Sequence, residues 1–456
     1  MKKNIPSPAV SWLTCIVSCG LFLGLTGQAR AQEMITIQQA VEKTLNNNLQ
    51  IKNSKLAEQL NDLELKQSKM ALVPTLNASA NAGISFGRSQ DQNTFEIINQ
   101  QLLTSSGSVS TQVPVFEGFS RLNRIRQNKL LLEAGRANTD KIKNDLILQV
   151  ITSYMQILYN KDFLNAAQQQ LAVAQQQLKQ QQELLDVGNK TLADLAETKS
   201  LVATAELDVT TAENALTISY LTMAQLMDIP SATKYEVQAP AVGSFSPAAN
   251  LDAEAIYAGA LNFFPDIKLA GLNTAAAKKA VDVAKGSLYP RLSFGAGMGS
   301  SYSYIFGYDN PLNPQSTFNE QVRDRFSQNI GLSLSIPIFN GLQARAGVKR
   351  AKIYLSQYQN DEQLARNNLN KIIYQAVADL KAAQSTFEST SKTFTARKEA
   401  FIVIEQRYNV GLVNSLDYNT SQTNMNRAEI DMIRAKYDLL FKAKLIDYYL
   451  GKQITF

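Results

Sequence analysis

The amino-acid sequence predicts a mainly α protein with a small β part, in which long antiparallel coiled-coil helices carry four amphipathic strands. Three observations predict it. The 456-residue chain repeats itself at nearly constant offsets. Each copy holds a proline-free span long enough for an exceptionally long helix, and each holds two segments in which apolar and polar residues alternate.

The N-terminus comes first. Lys2 and Lys3 are followed by an apolar stretch from Leu13 to Leu25, and Ala29-Arg30-Ala31 has the small-x-small pattern of a signal-peptidase site. That layout reads as a secretory signal over 1–31, with a mature chain from Gln32. A lipoprotein site at Ile16-Val17-Ser18-Cys19 is the rival, but it would leave the apolar Gly20-Leu21-Phe22-Leu23 where a polar tether is expected. Both cysteines, Cys15 and Cys19, fall in the signal, and histidine is absent. No disulfide, Cys nucleophile, His/Cys metal cluster or Ser-His-Asp triad can then be assembled. The expectation is no enzyme, no cofactor and no metal. Without Lys2, Lys3 and Arg30 the net charge falls from +6 to about +3, which gives no reason to invoke nucleic acid. Beyond the signal no run of about 18 apolar residues appears, so any membrane span has to be a β-barrel.

The duplication sets the domain organisation. Val113-Pro114-Val115-Phe116-Glu117-Gly118 returns as Ile336-Pro337-Ile338-Phe339-Asn340-Gly341, a shift of 223. The same shift carries Leu185-Asp186-Val187-Gly188 onto Tyr408-Asn409-Val410-Gly411, Asp194 onto Asp417 and Glu206 onto Glu429. Upstream, Val73-Pro74-Thr75-Leu76 matches Tyr289-Pro290-Arg291-Leu292 at a shift of 216. Two repeats follow, 32–228 and 251–456, joined by 229–250, a Pro-, Ala- and Ser-rich stretch that reads as a surface linker. Each repeat has the order helix, β-hairpin, very long helix, Val-Gly break, second helix. In the first, Ile37, Val41, Leu45, Leu49, Leu56, Leu60 and Leu63 mark the opening helix by their spacing.

The β-hairpins, about 74–116 and 290–339, are bracketed by prolines. Leu76, Ala78, Ala80, Ala82, Ile84 and Phe86 alternate with Asn77, Ser79, Asn81, Gly83, Ser85 and Gly87, and Val109 to Val115 alternates likewise. In the second repeat the apolar members are Leu292, Phe294, Ala296 and Met298, then Ile330, Leu332, Leu334 and Ile336. Period two sends the apolar side chains to one face. Each strand is expected to reach roughly ten residues, enough to cross a bilayer when tilted, with Tyr302, Tyr304, Phe306 and Tyr308 as an aromatic girdle. An ordinary half-buried soluble sheet has the same pattern and stays open. If the face meets lipid, four strands are too few, because the smallest membrane barrels have about eight and open edges in lipid are prohibitively costly. Two copies give eight strands and three give twelve.

The spans from Phe119 to about Asp186 and from Leu342 to Asn409 lack proline, and each predicts a helix roughly 100 Å long at ~1.5 Å per residue. Leu164, Leu171, Leu178 and Leu185 recur every seven residues with Ala167 and Ala174 between them, a coiled-coil seam. Gln168–Gln170, Gln175–Gln177 and Gln180–Gln182 form a wetted wall opposite. The arms turn at Val187, Gly188, Asn189 and Lys190 and at Val410, Gly411, Leu412 and Val413, with Gly188 and Gly411 as left-handed caps. Arg121, Arg124, Arg126 and Lys129, echoed by Arg345, Lys349, Arg350 and Lys352, sit near lipid headgroups or on a solvated helix face.

With the Pro-x-Phe-x-Gly exits, the paired Val-Gly tips followed by Thr191-Leu192-Ala193-Asp194-Leu195 and Asn414-Ser415-Leu416-Asp417-Tyr418, and the duplication, the chain resembles the TolC family of outer-membrane efflux proteins over nearly all of its mature length. The resemblance implies a homotrimer whose twelve strands share one β-barrel in outer-membrane lipid, above a periplasmic helical barrel. It implies tips that meet a periplasmic adaptor (membrane fusion) protein coupled to an inner-membrane pump of RND, ABC or MFS type. Pro74, Pro114, Phe116, Gly118, Pro290, Pro337, Phe339 and Gly341 would mark the barrel-to-helix transitions. Family members narrow the entrance with acidic residues after the tip; the matching positions are Asp194 with Glu197 and Asp417 with Thr420. Asp194 and Glu197, three apart, share a helix face and could form a cation-favouring ring, or serve only the helix dipole. Thr420 departs from the family pattern and puts a full second ring in doubt.

The implied function is a passive exit duct for efflux or type I secretion. A periplasmic adaptor would need one hairpin with flanking lipoyl-type modules, against two hairpins here. A coiled-coil tether or adhesin without conduction is the remaining alternative.

Overall fold

The computed structural model describes residues 33–90, 95, 97–231, 235–239, 251–308 and 314–452. The expected signal segment, 1–31, lies outside them. In chain order the elements are β1 (Glu33–Ile35), α1 (Ile37–Asn47), α2 (Leu49–Met70), β2 (Thr75–Gln90), β3 (Ile97–Glu117), α3 (Ser120–Asp186), α4 (Leu192–Met227), β4 (Tyr235–Val237), α5 (Ala253–Phe263), α6 (Pro265–Lys285), β5 (Arg291–Phe306), α7 (Phe318–Asp324), β6 (Ser327–Ser335), α8 (Gln343–Asn409) and α9 (Ser415–Tyr449).

The two offsets read from the sequence recur in the element boundaries. β2 and β5 are both 16 residues long and start 216 residues apart, while α3 and α8 are both 67 residues long and start 223 apart. The opening helix of each repeat is broken, and the breaks at Asn48 and Phe264 keep the 216 spacing. Asn48 caps α2 by accepting from the Gln50 amide at 2.8 Å, whereas Pro265 opens α6 at a position that needs no amide donor.

The described residues fall into two compact units, and neither is a repeat. The first holds 33–43, 153–231 and 235–239. Within it, β1 and β4 pair in parallel, Ile35 opposite Val237. The stretch 229–250, read as a surface linker, therefore contains a strand whose Tyr235 and Val237 are buried. Buried Tyr154 shares its one hydroxyl proton between the carbonyls of Gln238 (2.6 Å) and Ile35 (3.1 Å), and burial pushes its phenol up to about 12. Three residues per strand could not hold this pair alone; the tyrosine clamps both. Along the α3–α4 hairpin, Ala174, Val202 and Ala205 are buried with Leu171 and Leu178 packed against them, so the heptad seam is real. One wall residue departs from expectation: Gln181 is 4% exposed.

The second unit holds the remaining described residues of 44–152 and 251–452. Its four-stranded sheet runs β2-β3-β5-β6, each neighbour antiparallel. β3 joins β5 across the repeat boundary, so the two hairpins make one sheet. Strands of 16, 21 and 16 residues exceed the ten expected, and β6 falls just short at 9. The cause is register: Gln90 pairs with Ile97 and Thr75 with Gln112, so a continuous ladder carries β3 through Gln100 and Gln101, where the alternation fades. Helices α5, α6, α8 and α9 close around a separate apolar core that includes Ile256, Ile267, Leu369, Ile373, Leu380, Leu439 and Ile446. Leu56, Leu60 and Leu63, which announced α2 by spacing, stand exposed on the single chain.

Candidate functional site

The sheet carries a consistent two-faced pattern. Asn77, Ser110, Gly297 and Asn329 lie side by side across all four strands, and so do Leu76, Thr111, Ala296 and Ile330. On the polar face Ser79 and Ser108 share a hydrogen bond of 2.9 Å. The apolar face is bare: Leu76 is 75% and Ile330 78% exposed, and Phe86, Leu332 and Leu334 are exposed too. Charges occur only near the strand ends, at Arg88, Glu117 and Arg291, the last two opposite each other in register. A sheet that leaves its apolar side chains in water while turning Ser, Asn and Gly to the other face suits lipid outside and solvent inside. β2 and β6 are its two edges.

Both hairpin tips end in the same backbone device. Gly188 (φ +82°) donates to the Leu185 carbonyl at 2.8 Å and Asn189 to that of Leu184 at 2.8 Å. Gly411 (φ +80°) donates to the Tyr408 carbonyl at 3.0 Å and Leu412 to that of Arg407 at 2.9 Å. This is a Schellman pair, which satisfies the last helical carbonyls and needs a residue tolerant of positive φ. Val187, Val410 and Leu412 are exposed, Asn189 likewise, and Lys190 and Val413 are half-buried.

The acidic positions follow at once. Thr191 caps α4 by accepting from the Asp194 amide at 3.2 Å, and the Asp194 carboxylate accepts from the Thr191 amide (3.2 Å) and hydroxyl (2.8 Å). Asp194 is thus held in a capping box, while Glu197, one turn on, is exposed. In the second hairpin Asn414 caps α9, accepting from the Asp417 amide at 2.8 Å, and Asp417 and Thr420 are exposed.

Similarity to known proteins decides the family. The family model "Outer membrane efflux protein" matches residues 40–228 and 257–451, most of the chain. The chain belongs to the outer membrane efflux protein family. The outer membrane efflux protein BepC of Brucella suis is 22% identical over 423 residues, covering 91% of this chain and 85% of its own length. The alkaline protease secretion protein AprF of Pseudomonas aeruginosa is 24% identical over 412 residues, 84% of this chain and 77% of its own. Among solved structures, the outer membrane protein VceC of Vibrio cholerae superposes with a TM-score of 0.77 at 15% identity, covering 91% of this chain and 96% of that one. The outer-membrane channel OprN gives 0.76 at 18% identity, over 91% and 89%.

The protein is accordingly an outer-membrane component of efflux or type I secretion, with a TolC-like channel fold and no enzymatic activity. In this family member the predicted transition residues occupy the junctions of strand and helix in two different ways. Pro74 and Pro290 precede β2 and β5. Pro114 lies inside β3 at a register irregularity between Pro114 and Phe116, with Phe116 meeting Phe119 edge-on at 5.3 Å. β6 instead stops at Ser335, so Pro337 and exposed Phe339 lie beyond the strand, a correction to a hairpin read to 339. Gly118-Phe119 and Gly341-Leu342 are both consecutive positive-φ pairs. A Cβ at Gly118 would stand 2.6 Å from the Gly286 carbonyl oxygen, whereas Gly341 faces open space.

Of the basic residues, Arg121 joins Glu117 at 2.9 Å and also donates to the Ala71 carbonyl, tying the end of β3 to the end of α2. Arg124, Arg126, Lys129, Arg345, Lys349, Arg350 and Lys352 are exposed. Sequence reasoning missed two features. Leu192 and Leu416 are exposed at the starts of α4 and α9, an apolar surface at each tip. Tyr408, Tyr418 and Phe401 form an aromatic cluster behind the second tip, which their seven- and ten-residue spacings could have announced.

Proposed function

We propose that three copies of this chain form a passive duct, twelve strands closing one β-barrel in the outer membrane, with the helical hairpins projecting into the periplasm. The open-edged sheet with a bare apolar face carries the reading: among the described residues β2 and β6 each present an edge with no strand beside it, which lipid does not tolerate, and closure with further copies removes all such edges. The VceC and OprN likenesses support the fold that this closure needs. The tips, with exposed Val187, Leu192, Val410, Leu412 and Leu416, dock a periplasmic adaptor that couples the duct to an inner-membrane pump. Asp194, Glu197 and Asp417 line the entrance and favour cations, Asp194 serving also as a helix cap. Pro74, Pro114, Phe116, Gly118, Pro290, Pro337, Phe339 and Gly341 turn the barrel wall into the helical one.

Single-channel recording in planar bilayers tests this. Wild type is expected to conduct with cation preference, and Asp194→Ala with Asp417→Ala to lose much of that preference. A double variant with unchanged selectivity would remove these carboxylates from the entrance; no conductance from any variant, wild type included, would remove the duct.

A further inference from the structure

One stretch of the sheet is paired in an unusual way. β6 covers β5 only from Arg291 to Gly299. Beyond that point the backbone groups of β5 that face the β6 side meet no strand among the described residues. Alternate residues of a strand turn their N–H and C=O to the same edge, so the open positions continue through Ser303 and Ile305. Two glutamine side chains fill the positions at Ser303 and Ile305. Gln321 of α7 accepts from the Ser303 amide at 3.0 Å through Oε1 and donates to the Ser303 carbonyl at 2.9 Å through Nε2. Gln315 does the same at Ile305, at 2.7 and 2.8 Å. A primary carboxamide has the donor and acceptor of a peptide unit at matching spacing, so each reproduces the two bonds of a strand partner.

Further contacts hold the segment against both sides of the edge. Ser300 Oγ donates to the Val322 carbonyl at 2.7 Å, and Arg325 Nη1 donates to Ser303 Oγ at 2.8 Å. Tyr302 and Phe318 meet edge-on at 5.1 Å. Gln321 is 6% exposed and also donates to the Ser316 carbonyl at 2.8 Å, so its amide is fixed before it meets β5.

The opposite edge of the sheet does not match this one. β2 is 16 residues long and β6 is 9, so a seam between copies leaves seven β2 residues without a β6 partner. We propose that residues 315–325 are a strand surrogate in the barrel wall, and that the far end of a second copy's β2 lies against α7 instead of in a backbone ladder. The inference rests on the shared-barrel reading. Its side chains suit that occupant: Ile84 and Phe86 of β2 are exposed, and so is Phe318 of α7. Phe86 and Phe318, together with Tyr302, Tyr304 and Phe306, complete an aromatic rim at the level where a barrel meets headgroups. The seam is then ladder-bonded over β6 and side-chain-packed above it.

Two measurements on the full chain in outer membranes test this, with Cys15→Ala and Cys19→Ala as background. Asn319→Cys is combined in turn with Ile84→Cys, Ser85→Cys and Phe86→Cys, and Leu332→Cys with Ala78→Cys, Ala80→Cys and Ala82→Cys, and each is treated with a short bismaleimide. Covalent multimers are expected in both series. Multimers in the Leu332 series alone would overturn the surrogate seam and leave the shared barrel standing; multimers in neither would take both away. In Gln315→Leu/Gln321→Leu, exchange of the Ser303 and Ile305 amide protons is expected to quicken at least tenfold. Unchanged exchange would overturn the surrogate pairing itself.

Discussion

Tyr418 packs against Tyr408 across the second hairpin, with ring centroids 4.6 Å apart and planes tilted by 33°, and its ring also lies 5.3 Å from that of Phe401. Tyr418 is 4% exposed, although the tip itself is bare a few residues away. The cluster locks the last turns of α8 to the first turn of α9. Tyr418→Ala removes a buried ring and is expected to cost about 3 kcal/mol, felt locally. Hydrogen exchange should quicken around 401–420 and leave 369–383 unchanged; equal effects in both regions would show that the cluster is not a local clasp.

The two transition glycines should respond differently to the same added methyl group. Gly118→Ala combines positive-φ strain with an overlap against the Gly286 backbone, together roughly 2–4 kcal/mol. Gly341→Ala meets open space and bears only the strain, about 1–2 kcal/mol. Thermal melting should place Gly118→Ala well below Gly341→Ala. The reverse order would contradict the packing of Gly118 on the turn at Gly286.

Structural and entrance roles of the carboxylates separate by comparing three variants. Asp194→Ala breaks a reciprocal cap and is expected to destabilise α4 by about 1 kcal/mol. Glu197→Gln breaks no such contact and should leave melting unchanged while weakening cation preference. Asp417→Ala leaves the Asn414 cap in place and should cost less than Asp194→Ala. A loss of stability in Glu197→Gln equal to that in Asp194→Ala would undo this division.

Acid should weaken the packing of α8 against α9. The Lys442 ammonium, hydrogen-bonded to Asp379 at 2.7 Å, holds that carboxyl below its ordinary value of 3.8. A depressed folded-state value means the stabilisation is full above the unfolded value and is lost as pH falls towards the folded one. Both side chains are partly exposed, so the effect is modest. The drop in melting temperature between pH 5 and pH 3 should be smaller in Asp379→Asn than in wild type. An identical drop would mean the pair contributes nothing to acid sensitivity.

Much of this architecture was legible because the chain states it twice. The long helices end where the Val-Gly breaks stand, at Asp186 and Asn409, and both tips take the left-handed cap that their glycines announced. What escaped notice was held by distant partners. Glu33–Ile35 and Tyr235–Val237 are too short to show a period, and they become strands only against each other and Tyr154. β3 outran its alternation because β2 supplied a ladder across Gln100 and Gln101. The amides of Gln315 and Gln321 imitate a strand with side chains, which no pattern of apolar residues can show. The exposed leucines of α2 follow the same logic, since spacing reveals a helix but not the neighbour that covers it.

The mass of the assembled particle tests the shared barrel most directly. The processed protein, extracted from outer membranes in mild detergent and weighed intact by native mass spectrometry, should carry three copies of the chain. A monomer that stays dispersed after the detergent is removed would contradict the account.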